Sequence, residues 1–235
     1  MGFAIKYAPQ SLADVIYPNQ AVERRIEAYT RGLLDKHIIL HGPNGTGKST
    51  IARLLPDAIV GNKAVVENDD FDELLNRRDL KQYLKQSCSL SSFTEQSKVF
   101  LVFEEFDNAK VSLNKLWTAM DACEDELMVI ISTNYEMNIS KSFRDRCNLI
   151  NVHKLSAVNV LPRAQFILQS EGVDIPSDYL LAYLQQADWN GSLRTYMQLL
   201  DELVACKAME LPLPAVHVPN AANQPSFQVV SGGSK

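Results

Sequence analysis

Hydrophobic residues along this chain fall into two patterns. Through the first two thirds, short unbroken apolar runs alternate with stretches in which apolar residues recur every three or four positions. HIILH (37–41), KVFLVF (98–103), LMVIIST (127–133) and LINV (149–152) have the length and composition of strands buried on both faces, and Val65 and Val66 mark a shorter one. Helical spacing lies between them. It covers Gln20 to Leu34 behind Pro18 and Asn19, Lys48 to Leu55 limited by Pro56, and Asp70 to Lys85 with Leu74, Leu75, Leu80 and Leu84. Strands separated by helices predict a parallel sheet covered on both faces, a doubly wound α/β fold, entered through a short extended segment, KYAPQSLADVIYPN.

From Ser156 onward the strand pattern stops. Helical segments over 156–170, 177–187 and 192–207, with Ser156 and Ser177 as N-caps and Pro176 and Gly191 as breaks, predict a small helical domain. The remainder, LPLPAVHVPNAANQPSFQVVSGGSK, is rich in proline, asparagine, glycine and serine and reads as a disordered or extended tail. The expected organisation is an α/β domain over 1–154, a helical domain over 155–208 and a flexible tail over 209–235.

Composition narrows the class. Of 235 residues, 46% are apolar and 22% charged, and no apolar run approaches the roughly 18 residues that span a bilayer. With no secretory leader pattern at MGFAIKYAPQ, a cytoplasmic protein that makes no membrane contact is expected. A net charge of −5 excludes a surface that coats nucleic acid throughout, so any DNA contact needs a local patch. Arg77, Arg78, Lys81 and Lys85 offer one, and read equally as a solvated helix face. Cys88, Cys123, Cys147 and Cys206 are too scattered for a metal motif and read as structural thiols. His37 and His41 share a strand face, as packing residues or as a metal pair.

The chemistry concentrates around one loop. Gly42-Pro43-Asn44-Gly45-Thr46-Gly47-Lys48-Ser49, followed by Thr50, fits G-x-x-x-x-G-K-[ST] at every fixed position, after a strand and before a helix. In such a loop the glycines turn backbone N–H groups around an anion, Lys48 reaches the β- and γ-phosphates, and the Ser49 hydroxyl ligates magnesium. ATP with Mg²⁺ is the expected ligand. KVFLVF runs into Glu104 and Glu105, the first placed to hold magnesium and the second to polarise an attacking water. Asn134 ends the next apolar strand, where an uncharged amide orients that water.

Together these motifs resemble the AAA+ ATPases, and within them the clamp-loader group of replication proteins of replication factor C type, over about residues 5–207. KYAPQSLADVI is similar to that group's adenine-contacting segment, which places Val15 and Ile16 at the base. GPNGTGKST resembles Walker A, FLVFEEFDN Walker B and STN sensor 1. SFRDRC resembles the S-R-C motif, which implies that Arg146 is an arginine finger reaching a neighbouring subunit's ATP, with Arg144 as competitor. NGSLRTYMQLLDEL resembles the lid's helix start and makes Arg194 the sensor 2 candidate. Glu104 stands where the family has Asp, which implies altered magnesium geometry and slow turnover. Asp145 replaces the S-R-C serine and is placed to pair with Arg146. A collar domain of the clamp-loader kind does not fit in the residues after 207.

The resemblance implies ATP hydrolysis between subunits of an oligomer, formed by self-association or with related AAA+ subunits. A sliding clamp or another replication protein, and DNA, are the implied partners. The alternative is a nucleotide-dependent switch or adaptor, such as a helicase loader or defence-type ATPase, recruiting proteins through LPLPAV or PSFQVV. A small-molecule kinase is disfavoured, because no arginine-rich substrate insertion is present.

Overall fold

A computed structural model describes residues 2–61, 64–67, 74, 78–91, 98–106, 114–123 and 126–216. The chain divides into two units, one of Pro9–His153 and one of Met1–Ala8 with Lys154–Lys235.

In the first unit the apolar runs become strands β1 (His37–His41), β2 (Val65–Glu67), β3 (Val99–Phe103), β4 (Leu127–Thr133) and β5 (Cys147–Asn151). All pair in parallel, in the order β2-β3-β4-β1-β5. Side chains alternate between the faces of a strand, so an unbroken apolar run supplies two cores. Ile39, Val99, Leu101, Phe103, Val129 and Ile131 face one, with Leu80, Leu84 and Cys88 of the Leu80–Ser91 helix. Ile38, Leu40, Phe100, Val102, Met128 and Ile130 face the other. Val22, Ile26 and Tyr29 of the Gln20–Thr30 helix and Ile51, Ala52 and Leu55 of the Lys48–Val60 helix cover that second face. Each such buried aliphatic side chain stabilises the fold by about 1.5–3 kcal/mol.

Several boundaries differ from the sequence reading. The KYAPQSLADVIYPN region is not simply extended, since its first residue ends a helical turn at Phe3–Lys6 and a 3₁₀ turn follows at Leu12–Asp14. The helix begun by Asn19, whose side chain accepts the Val22 N–H at 3.0 Å, stops at Thr30 rather than Leu34. Gly32 takes a φ of 67°, and the Leu33 N–H returns to the Ala28 carbonyl at 2.9 Å, a glycine-terminated end. Pro56 does not limit the helix after the glycine loop, which runs on to Val60 with Gly61 as C-cap. Burial of Leu55 and Pro56, with Ile59 and Val60 packed on the same core, offsets the roughly 3 kcal/mol that an interior proline costs. The helix expected over 70–85 is described from Leu80 and continues to Ser91, while most of 68–77, including Leu75 and Arg77, lies outside the described residues.

The second unit packs Ala157–Ser170, Ser177–Gln185 and Leu193–Ala208 around Val160, Ala164, Ile167, Leu180, Leu184, Tyr196, Leu200 and Leu203. Ser156 caps the first helix in a reciprocal box with Asn159. Ser177 is not a cap. Pro176 holds that place, and the Ser177 hydroxyl accepts from Gln165 at 2.6 Å. The first eight residues, expected with the sheet, group with this unit instead. Phe3 is buried, its N–H donates to the Asp201 carboxylate at 3.3 Å, and Lys6 and Tyr7 both bind the Glu171 carboxylate. Of the tail, residues 211–216 are without helix or strand, with the Pro214 carbonyl accepting from the Tyr179 hydroxyl at 2.5 Å. The rest, with PSFQVV, lies outside the described residues. Among the described residues no helix is long and apolar enough to cross a membrane.

Candidate active site at the carboxyl end of the sheet

The glycine loop leaves β1 between β4 and β5, where an open α/β sheet gathers ligands at the carboxyl ends of its strands. Gly42, at φ 140°, passes so close to β5 that a Cβ there would stand 2.3 Å from the Val152 carbonyl oxygen. Gly45 and Gly47 take φ of 75° and 92°, conformations that L side chains resist. The buried Thr46 hydroxyl donates to the Pro43 carbonyl at 3.0 Å and ties the loop across its base. Pro43 and Asn44 are exposed at the tip, and Thr50 is half-buried. No side chain caps the Lys48–Val60 helix, whose N-cap is Gly47, so its positive end is left for an anion.

Lys48 is 7% exposed and satisfied from within. Its ammonium donates to the Gly42 carbonyl at 2.9 Å, the Pro43 carbonyl at 2.7 Å and Asn134 Oδ1 at 2.9 Å. Asn134 thus comes to the mouth of the glycine loop from the end of β4. A polyanion's oxygens are stronger acceptors for an ammonium than amide carbonyls. The donor set therefore fits a triphosphate.

The acidic turn follows β3. The Glu104 carboxylate lies 3.4 Å from Arg53 Nε, and Arg53 stands one helical turn beyond Ser49, so Glu104 borders the Ser49 face of that helix. Both partners are substantially exposed, so this pair is weak and leaves Glu104 available to a cation. Ser49 and Glu104 together fit magnesium's preference for oxygen ligands. Glu105 takes a φ of 53°, rare for a residue with a side chain, and its N–H donates to Ser132 Oγ at 3.2 Å. Ser132 Oγ also lies 3.3 Å from Ser49 Oγ. Asp107 lies outside the described residues.

The two histidines of β1 are structural. His37 Nδ1 accepts the Val129 N–H at 3.1 Å, and burial pushes its pKa down to about 4. His41 Nδ1 meets the Glu136 carboxylate, yet burial still holds its pKa below the usual imidazole range. Among the described residues no three His, Cys, Asp or Glu side chains gather to hold a metal.

Arg146 sits at the opposite end of the sheet. It precedes β5, whose Cys147 pairs with His37 at the start of β1, whereas the glycine loop begins after His41. Four strand residues separate these levels by about 13 Å. Asp145 is not its partner. The guanidinium binds Asp121 through Nε at 3.0 Å and Nη2 at 3.3 Å, donates through Nη1 to the Ser142 carbonyl at 2.9 Å, and lies 4.5 Å over the Trp117 ring. Two carboxylate oxygens match the guanidinium fork in a way the adjacent residue along the chain does not. The Arg146 hydrogen bond in turn holds the Asp121 carboxyl below the usual range. Arg144 lies with Nη1 3.3 Å from Met137 Sδ, and its buried Nε has no hydrogen-bond partner among the described residues.

Other expected positions are spread out. Val15 and Ile16 follow the Leu12–Asp14 turn half-buried, with Val15 against the core formed by Ile38, Leu40 and Ile51. Arg194 is exposed in the first turn of Leu193–Ala208, in the helical unit. Arg78, Lys81 and Lys85 are exposed. Ser132, Arg53 and Asp121 escaped the sequence reading. Only Ser132 carries a signal, a polar residue set within an apolar strand.

Residues 38–154 match the model of the ATPase family associated with various cellular activities (AAA). The replication factor C large subunit of Pyrococcus horikoshii is 25% identical over 206 residues, covering 85% of this chain and 42% of that protein. The replication factor C small subunit of Aeropyrum pernix is 26% identical over 202 residues, covering 83% of this chain and 60% of that protein. This chain thus spans about half the length of the two relatives. In fold it is similar to the Thermotoga maritima RuvB Holliday junction branch migration motor, with a TM-score of 0.61 at 14% identity, covering 86% of this chain and 67% of that one. The chain belongs to the AAA ATPases through the domain at residues 38–154, and resembles replication factor C subunits over most of its length.

Proposed function

We propose that this protein binds ATP with magnesium at the Gly42–Thr50 loop and hydrolyses it between subunits of an oligomer, as a clamp-loader-like ATPase. The observation that carries this reading is the position of Arg146, one strand length from its own chain's phosphate loop, which favours service to a neighbour's. Lys48 exchanges the Gly42 and Pro43 carbonyls for β- and γ-phosphate oxygens and keeps Asn134 beside the γ-phosphate. Ser49 and Glu104 hold magnesium, which when bound neutralises charge developing on the phosphates. Glu105 takes the proton of the attacking water, which Asn134 orients. Val15 and Ile16 cover the base. Arg194, exposed in the first turn of the Leu193–Ala208 helix, is the sensor 2 residue of this reading. A trans arginine accelerates related phosphoryl transfers by roughly 10³–10⁵.

The partners proposed are further copies or related AAA+ subunits, a sliding clamp or other replication protein, and DNA through Arg78, Lys81 and Lys85. The proposed location is the cytoplasm or its equivalent. The second reading, a nucleotide switch acting mainly through proteins, is favoured by the clasp on Arg146, which must open before a neighbour's phosphate is reached. ATPase rate against protein concentration tests the interface. Specific activity should rise with concentration in the parent and stay flat and low in Arg146→Ala. Equal, concentration-independent activity in both would refute it.

A further inference from the structure

Ser132 is 1% exposed, and its hydroxyl stands between the two halves of the phosphate site. On one side the Glu105 N–H donates to it at 3.2 Å, and on the other Ser49 Oγ lies 3.3 Å away. The carbonyl of the same residue accepts the Phe106 N–H at 2.8 Å, so one strand residue holds two consecutive amides of the acidic turn. Glu105 requires such a hold, because its φ of 53° lies where a side chain is disfavoured.

We infer that Ser132 is a positioning residue, a hydroxyl relay coupling the ligation state of Ser49 to the placement of Glu105. A hydroxyl has one proton to donate and two lone pairs to accept with. Before a cation binds, either hydroxyl can donate in the Ser132–Ser49 contact, and Ser49 Oγ still has a lone pair to offer. Once Ser49 Oγ ligates a divalent cation, that lone pair is occupied and the Ser49 O–H becomes the stronger donor. The bond is then held in one direction, and Ser132 Oγ accepts from Ser49 and Glu105 together. The Glu105 backbone is thereby tied to whether magnesium is in place, so that the base is set when the metal is. Nothing in the linear motif shows this link, because its members come from the glycine loop, the end of β3 and the end of β4.

The relay rests on the proposed ATPase reading, and the experiment separates the two. In the full chain, Ser132→Ala should make the Glu105 amide exchange with solvent about tenfold faster, while the Phe106 amide, held by a backbone carbonyl, stays protected. Adding Mg²⁺ with a non-hydrolysable ATP analogue should shift the Glu105 amide resonance in the parent and not in Ser132→Ala. Ser49→Ala should keep the amide protected yet lose the Mg²⁺-dependent shift. In turnover, Ser132→Ala should lower kcat about tenfold at unchanged KM for ATP, with no further loss in a Glu105→Gln background. A Glu105 amide equally protected in Ser132→Ala, or kcat losses that multiply in the double variant, would overturn the relay. A parent that binds no Mg²⁺-nucleotide overturns the ATPase reading and the relay with it, whereas binding that leaves the Glu105 resonance unmoved overturns the relay alone.

Discussion

The two ends of the sheet handle positive charge in different ways. At the carboxyl end, Lys48 is 7% exposed and held by two loop carbonyls and an amide, all neutral acceptors. At the amino end, Arg146 is gripped by a carboxylate on two atoms, a carbonyl and an indole face. The lysine is preorganised for a ligand entering its own loop. The arginine is already paired, so any other anion must displace Asp121. Under the proposed reading, in which the halves of the site come from different subunits, a cation paired in this way bridges no wrong partner before assembly.

Breaking each end separately sharpens that contrast. The largest effect is expected from Lys48→Ala, which should abolish ATP binding, measured by titration with a fluorescent analogue, and lower hydrolysis by about 10³ or more. Arg146→Ala should leave nucleotide affinity within about twofold while lowering the rate of the assembled protein by roughly 10³. A lost affinity there would mean that Arg146 serves its own chain.

Acid stability separates the ends next. His37, at the arginine end of β1, is pushed down to about 4 from an ordinary 6.5, so below pH 6.5 the unfolded chain binds a proton that the native chain refuses. Its contribution is complete above pH 6.5 and is lost as the pH falls towards 4, by up to about 3 kcal/mol in denaturant titrations. His37→Asn, which keeps an acceptor for Val129, should flatten that slope. His41, at the phosphate end, has Glu136 opposing the effect of burial, so His41→Asn should change the slope less. The smallest effect is expected from Asp121→Asn. Loosening one partner of a partly exposed pair should raise the assembled ATPase about threefold, and a fall would show that Asp121 positions the finger instead of storing it.

What the sequence disclosed and what it hid follow from range. Buried parallel strands declare themselves by unbroken apolar runs, and the glycine loop is written in consecutive residues, so both are local properties. Helix ends were read less well. Pro56 and Gly32 both signal a helix end, and burial of Leu55 and Pro56 overruled the first while the second held. The links that complete the site are distant in the chain, Glu105 with Ser132 across 27 positions and Arg146 with Asp121 across 25. Sheet register brings them together, and no spacing rule anticipates that. Asp145 was the natural guess for Arg146 because a sequence displays neighbours before it displays partners.

The most direct measurement mixes two inactive variants. Lys48→Ala retains its finger and Arg146→Ala retains its phosphate loop, so a head-to-tail assembly of equal parts should present about a quarter of its interfaces with both intact. ATP hydrolysis, absent from each variant alone, should return on mixing in that proportion. A mixture as inactive as its components, from proteins shown to assemble together, would contradict a site shared between subunits.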